Sequence, residues 1–510
     1  MADEQHPPRG QEDAGEKPQN IGPAIDVTRI DSVHDDEAAK VLNTYTGERE
    51  WTDEEEKKLR RRVDRRLLPV MCVTYALQFY DKNILSQAAL FGLRRDLGLD
   101  VGERFSWCAS IFYLGFLVGA YPVMLLAQRY PVERVASAIV TLWGVCLIST
   151  TACTNYQGIF AQRFFLGMLE VGISPMFMLI VGSWYKKDEQ AMRMGIWLCC
   201  NGYITMISPL INYGLGSTDP NGSSWRLMFY FAGGMTIVWG LLILVILPSD
   251  PIRARGFQPR ERYILVARLR TNNSGIRNKH YKMAQVVELA TDPKFWIIFS
   301  ISFLCMIANA PISTFVPLII KGFNFSNLES LLLLIPTGAW GGTFMLVFSY
   351  LAMKYPGIRT WLVLAGQIVC TLGALLLWVL PLSQRGVLLF GAYIMSTLGG
   401  GYVVLMSLQL ANTAGYTKRS LASSGLYIGY CLGNFVGPLC FKKEDAPRYV
   451  PGFIVVVISS LAAGALAVVY RYVCMWDNKR RDKAGTLEAF DHAFEDDMTD
   501  LTNPQFRYVL

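Results

Sequence analysis

The sequence predicts an all-α membrane protein of twelve transmembrane helices gathered in two six-helix bundles. Three observations carry this. Hydrophobic residues make up 52% of the 510-residue chain and charged residues only 17%, too apolar a balance over too long a chain for one ordinary soluble domain. Twelve apolar windows can be laid along it, each of about 20 residues, the length that crosses a hydrocarbon core of about 30 Å as a helix. They fall as six and six about a polar, basic interval.

Residues 1–56 are rich in Asp, Glu, Pro and Gly and poor in aromatics, so a disordered cytoplasmic tail is expected. This stretch has no apolar h-region, which indicates no cleaved signal peptide and leaves the first span to act as its own signal. The basic run Lys57 to Arg66 opens the N-terminal bundle, residues 57–247, with spans beginning near Leu67, Phe105, Val135, Gln157, Arg193 and Arg226. Residues 248–292 read as a cytoplasmic linker. The C-terminal bundle, residues 293–474, has spans beginning near Pro293, Leu328, Thr360, Val387, Leu421 and Gly452. In the eleventh span Gly425, Gly429, Gly433 and Gly437 recur every fourth residue, a spacing that lets helices approach closely. A second cytoplasmic tail, residues 475–510, ends in an acidic, low-apolar stretch and is expected to be disordered.

Lys186, Lys187, Lys354, Lys418, Arg419 and the run from Lys479 to Arg481 join the basic run and the linker arginines on one predicted side. The positive-inside rule then sets both termini in the cytoplasm, in a plasma-membrane protein. The sequons at Asn221 and Asn324 fall in predicted outer loops and are candidate glycosylation sites, whereas the one at Asn272 falls in the linker. The 11 cysteines lie in or at the ends of apolar segments as small core residues, which suggests neither a metal site nor a disulfide framework. All 4 histidines lie in the tails or the linker, so a proton relay inside the membrane must use carboxylates. The net charge of +7 suits membrane topology better than nucleic-acid binding. With no nucleotide-binding loop and no nucleophile–histidine arrangement in the spans, the sequence does not read as an enzyme or an ATP-driven pump.

Four charges sit where charge is expensive. The fourth span carries Arg163 and Glu170; seven residues is nearly two turns, so they share a face about 10 Å apart and each needs a partner from elsewhere. The first span carries Asp81 and Lys82 roughly 20 Å from its cytoplasmic start. Ionisable groups at that depth are functional candidates by default; the alternative is a fixed ionic lock between packed helices. The second half has no acidic residue within its spans and offers neutral groups instead, among them Asn309, Ser313, Thr314, Gln409, Asn412, Tyr430 and Asn434. Singly these serve as glue between helices. Together they suggest neutral substrate recognition, with Asn309, Gln409 and Asn412 as candidate contacts.

The stretches FYDKNILSQAALFGLRRDLGL (Phe79 to Leu99), RFFLGMLEVGISPMFMLIVGSWYKKDEQAMRMGIW (Arg163 to Trp197), NNSGIRNKHYKMAQVVELATDPKFW (Asn272 to Trp296), IIKGFNF (Ile319 to Phe325) and the run from Asn412 to Gly452 carry a resemblance to a known family. The chain resembles the major facilitator superfamily and, more narrowly, the allantoate permease group of the fungal anion:cation symporters. The wider symporter family usually has Asp-Arg-x-Asn in the first span; here Lys82 stands at the arginine position, a point charge in place of a fork.

The resemblance implies the major facilitator fold and proton-coupled uptake of a small organic anion of the allantoate, carboxylate, vitamin or dipeptide class. It makes Asp81 and Glu170 proton carriers and Lys82 and Arg163 anion contacts. The implied partners are the anion, protons and the lipid bilayer, with no nucleic acid, in a monomer that needs no cofactor beyond a proton gradient. Export of a secondary metabolite or toxin is the alternative direction, because fold does not fix it, and a non-transporting nutrient receptor is a third reading.

Overall fold

A computed structural model describes residues 45–47, 50–218, 224–248, 256–270, 282–484, 498–504 and 506–510. Its regular structure is helical. In the first half the helices are α1 (Asp53–Ala88), α2 (Arg104–Arg129), α3 (Val132–Ser149), α4 (Tyr156–Glu170), α5 (Ile173–Trp184), α6 (Lys187–Leu198), α7 (Cys200–Gly216) and α8 (Trp225–Ile246). Two helices, α9 (Pro259–Arg270) and α10 (Met283–Thr291), form within the linker. The second half holds α11 (Pro293–Ala310), α12 (Val316–Gly322), α13 (Asn327–Leu332), α14 (Ile335–Lys354) and α15 (Arg359–Val379). It continues with α16 (Arg385–Met395), α17 (Leu398–Ala411), α18 (Tyr416–Leu439) and α19 (Val450–Ala484).

Among the described residues, nine helical rods are long and apolar enough to cross a membrane. The other three expected spans coincide with α1, with α4 and α5, and with α18, which are helical but carry the charged, small and tyrosine residues that dilute their hydropathy. At 36 residues α1 is roughly 54 Å long, longer than a bilayer core is thick. Its first turns therefore stand clear of the apolar layer, and a capping box between Thr52 and Glu55 fixes where it begins.

Two spans break at corresponding places in the two halves: the fourth at Val171 and Gly172, straight after Glu170, and the tenth at Ser396 and Thr397. Interrupted helices in matching positions are a pointer to the site in repeat-built transporters. Further breaks fall at Cys199, at Leu333 and Leu334, and at the wide turn Pro311–Phe315, which separates α11 from α12; Pro311 has no N–H to continue the ladder.

The halves meet through α2 against α18 and α7 against α14. At the second crossing the backbones touch: a Cβ on Gly202 would lie 2.3 Å from the Cα of Gly342. On the face away from the chain ends, further contacts tie half to half. Ser106 Oγ donates to Phe441 O at 2.9 Å, Ser110 Oγ to Phe435 O at 2.7 Å and Asn327 Nδ2 to Leu90 O at 2.8 Å. Lys442 pairs with Glu103 at 3.3 Å, and Lys443 Nζ donates to Asp100 O.

On the face that carries the chain ends, the ion pairs seen among the described residues lie within one half or between a half and the linker. In the first half, Asp64 takes Arg193 at 3.0 Å, Glu56 takes Lys186 at 2.6 Å, and Glu189 takes Arg60 at 2.9 Å and Arg268 of the linker helix at 3.3 Å.

Both tails depart from expectation where they are described. Residues 1–44 lie outside the described residues, but Tyr45 stacks on Tyr263 of α9 at 4.5 Å, and α1 starts inside the stretch read as tail. The C-terminal tail corrects the disordered reading more firmly: α19 runs to Ala484, and residues 498–504 and 506–510 dock on the second half. Lys418 is caged by Asp500 at 2.8 Å, Glu288 at 2.9 Å and Asp292 at 2.9 Å. Tyr508 Oη donates to Asp500 at 2.8 Å, and Arg359 N donates to the Leu510 carbonyl at 3.0 Å. The low apolar content of this tail is offset by specific hydrogen bonds and ion pairs that composition does not register.

Candidate functional site

The site is organised by α1, which presents three different faces over two turns. Its first face is locked to α7 by a ladder of neutral hydrogen bonds. Tyr80 Oη donates to Asn212 Oδ1 at 2.8 Å, Asn212 Nδ2 to Gln87 Oε1 at 2.5 Å, Gln87 Nε2 to Ser208 Oγ at 2.9 Å and Asn83 Nδ2 to Thr205 Oγ1 at 3.2 Å. In a low-dielectric interior such satisfied bonds hold a helix in one rotation about its axis.

With that rotation set, Asp81 points into the first half. It is fully buried beside Trp143 of α3, Thr236 of α8 and Arg163 of α4. Lys82, the next residue and about 100° further round the helix, points toward the junction with the second half. Its ammonium is surrounded by aromatic rings, 4.8 Å from the centre of Phe79, 5.5 Å from Phe112 and 4.7 Å from Phe116. Glu170 lies between the two faces, with Lys82 and Arg163 as its neighbouring cations. Gln78 Nε2 donates to the Glu170 backbone carbonyl at 3.1 Å, which ties the break after α4 to α1.

None of these four charged groups forms an ion pair among the described residues. Both carboxylate oxygens of Asp81 and of Glu170, and Nε and Nη2 of Arg163, have no hydrogen-bond partner among the described residues. Arg163 is only 2% exposed and packs near Phe229 and Cys108. Lys82 alone of the four stays half-buried. An ionic lock would show the opposite pattern, with each cation seated on a carboxylate, because an unpartnered buried charge costs several kcal/mol. The arrangement instead suits groups that exchange partners with a proton or a charged solute.

The facing wall comes from α18. Its glycine row packs on α11: a Cβ on Gly433 would lie 2.3 Å from Phe303 O, and one on Gly429 would lie 3.0 Å from Phe299 O. The helix period turns the opposite face, Tyr427, Tyr430, Cys431 and Asn434, toward the first half. Cys431 is a neighbour of Lys82, Tyr427 faces Phe116 with ring centres 6.1 Å apart, and Tyr430 meets Tyr113 at 6.1 Å. Asn309 Nδ2 donates to Asn434 Oδ1 at 3.1 Å and so adjoins this wall.

The structure separates the other two polar candidates from it. Gln409 bonds Thr413 and Ser423 at the end of α17 nearest the chain ends. Asn412 donates to Tyr470 Oη at 2.9 Å and to Val509 O at 2.9 Å, and accepts from Val509 N at 2.7 Å. Both amides serve the second half and its docked C terminus, which corrects their reading as substrate contacts: polarity in a span does not reveal depth. Asn324 is exposed in a left-handed turn after α12, while Asn221 and Asn272 lie outside the described residues. Sequence reasoning missed the aromatic surround of Lys82 and the Tyr427 and Tyr430 pair. The signal was present in the i, i+3 tyrosines opposite a glycine row.

Two helical bundles meeting at a junction where, among the described residues, a half-buried lysine faces unpaired buried carboxylates have the architecture of a membrane transporter. The Major Facilitator Superfamily profile matches residues 71–438, and the chain belongs to that superfamily. It is 36% identical to an uncharacterized transporter of Schizosaccharomyces pombe, over 90% of each chain. It is 32% identical to the allantoate permease of Saccharomyces cerevisiae, over 93% of this chain and 90% of that one. Among solved structures, the proton:xylose symporter XylE superposes with a TM-score of 0.61 at 14% identity, covering 80% of this chain and 94% of that one.

Proposed function

We propose that this transporter takes up a small organic anion across the plasma membrane together with protons, as a monomer with both termini in the cytoplasm. The observation that carries the reading is the set of four charges around α1 and α4, buried or half-buried and without an ion pair among the described residues. When Asp81 and Glu170 are ionised they compete with solute for Lys82 and Arg163; when protonated they release the cations, and the anion is drawn to Lys82. Occupancy then lets the halves rock about the junction. In this orientation the contacts from Ser106, Ser110 and Asn327 close the outer face, and the separate charge networks of the two halves lie at the inner one. A curated relative that is an allantoate permease supports an anionic solute.

The test is uptake by purified protein in proteoliposomes over a range of pH. Glu170→Gln is expected to flatten the pH dependence; full retention of it removes Glu170 from coupling. Comparing right-side-out with inside-out vesicles separates uptake from export. Glycosylation of Asn324 agrees with the orientation, and glycosylation of Asn272 reverses it.

A further inference from the structure

Phe116 belongs to α2 in the first half and Tyr427 to α18 in the second, and no backbone element links their rings. Their planes lie 27° apart with centres separated by 6.1 Å, and Tyr427 is itself stacked on Tyr430 at 5.5 Å and 10°. Phe116 is 1% exposed, whereas Tyr427 and Tyr430 keep part of their surface open.

A flat conjugated body between two ring faces needs two contacts of about 3.5 Å each, or roughly 7 Å between the rings. The present spacing falls short of that by only about 1 Å, and it spans the junction whose rocking changes it. The Lys82 ammonium is 4.7 Å from the Phe116 ring centre, so a carboxylate on the edge of such a body reaches it. A saturated ring of the same outline is thicker and has no π face to present.

We infer that the anion carried has a flat, conjugated body, an aromatic carboxylate, clamped between Phe116 and Tyr427 with its carboxylate on Lys82. This rests on the anion reading above. It makes Tyr427 a specificity-determining residue and gives the closing of the halves a direct contact with the solute.

The experiment is titration calorimetry on the full-length protein in detergent with two matched pairs: benzoate against cyclohexanecarboxylate, and 2-furoate against tetrahydro-2-furoate. The flat member of each pair is expected to bind roughly fivefold tighter, the size of one well-placed aromatic stack. Tyr427→Leu should abolish that preference and Tyr427→Phe should keep it, while Lys82→Gln should weaken all four ligands alike. Equal binding of flat and saturated partners, or equal losses for both in Tyr427→Leu, overturns the inference and assigns Tyr427 to the seam between the halves. If Lys82→Gln still weakens binding in that case, the anion reading survives without it. If none of the four binds, both fall.

Discussion

Asp81 and Lys82 are adjacent in sequence, yet the helix sends one into the first bundle and the other to the junction. On the proposed reading, that division separates a proton-handling group from a solute-handling group by a single residue. Asp81→Asn is therefore expected to abolish proton-driven accumulation while leaving exchange of labelled for unlabelled solute running; loss of both in a folded variant would contradict the division. Lys82→Gln removes the charge-assisted bond to the anion and should raise the apparent KM about 10- to 100-fold, which uptake kinetics will read. The residue types were legible because charge in an apolar run stands out. Their facing was not, because it depends on the Tyr80, Asn83 and Gln87 ladder to α7, whose partners lie more than a hundred residues away.

At the scale of elements, the docked C terminus is held at the Lys418 cage and by Asn412, Asn478 and Arg481. Burial by itself would depress the Lys418 ammonium, but Asp500, Asp292 and Glu288 outweigh it and hold its pKa above the ordinary lysine value. A raised pKa means that this contribution to stability is fully present below about pH 10.4 and is lost only as pH rises through the higher folded value. Asp500→Asn should cost about 1–3 kcal/mol, and its deficit in thermal stability should stay flat between about pH 6 and 9. Deleting residues 498–510 should cost more, because the Asn412 and Arg359 contacts go as well. A thermal scan in detergent checks both. Sequence reading took this tail as disordered because it weighs composition, whereas the segment is held by partners on α10, α15, α18 and α19 and by Asn412 at the end of α17.

At the scale of the whole molecule, the two bundles touch where Gly202 meets Gly342 and where α2 meets the tyrosine face of α18. A side chain at Gly202 has no room against the facing backbone, so the halves must separate to admit it. Gly202→Val is expected to leave anion binding measurable and to stop net uptake, because the stroke between conformations is blocked and not the site. Binding and uptake measured on one preparation decide this; normal uptake would show that the crossing tolerates a wider gap.

Apolarity and charge placement along the chain were enough to declare a helical membrane protein in two halves and to single out Asp81, Lys82, Arg163 and Glu170, because lipid imposes its cost residue by residue and leaves its mark in local composition. That none of those groups is ion-paired among the described residues, which rings surround Lys82, and that Asn412 bonds the C terminus were decided only by the tertiary structure. Those facts depend on helix rotation and on contacts across hundreds of residues, and neither is written in any local stretch of sequence.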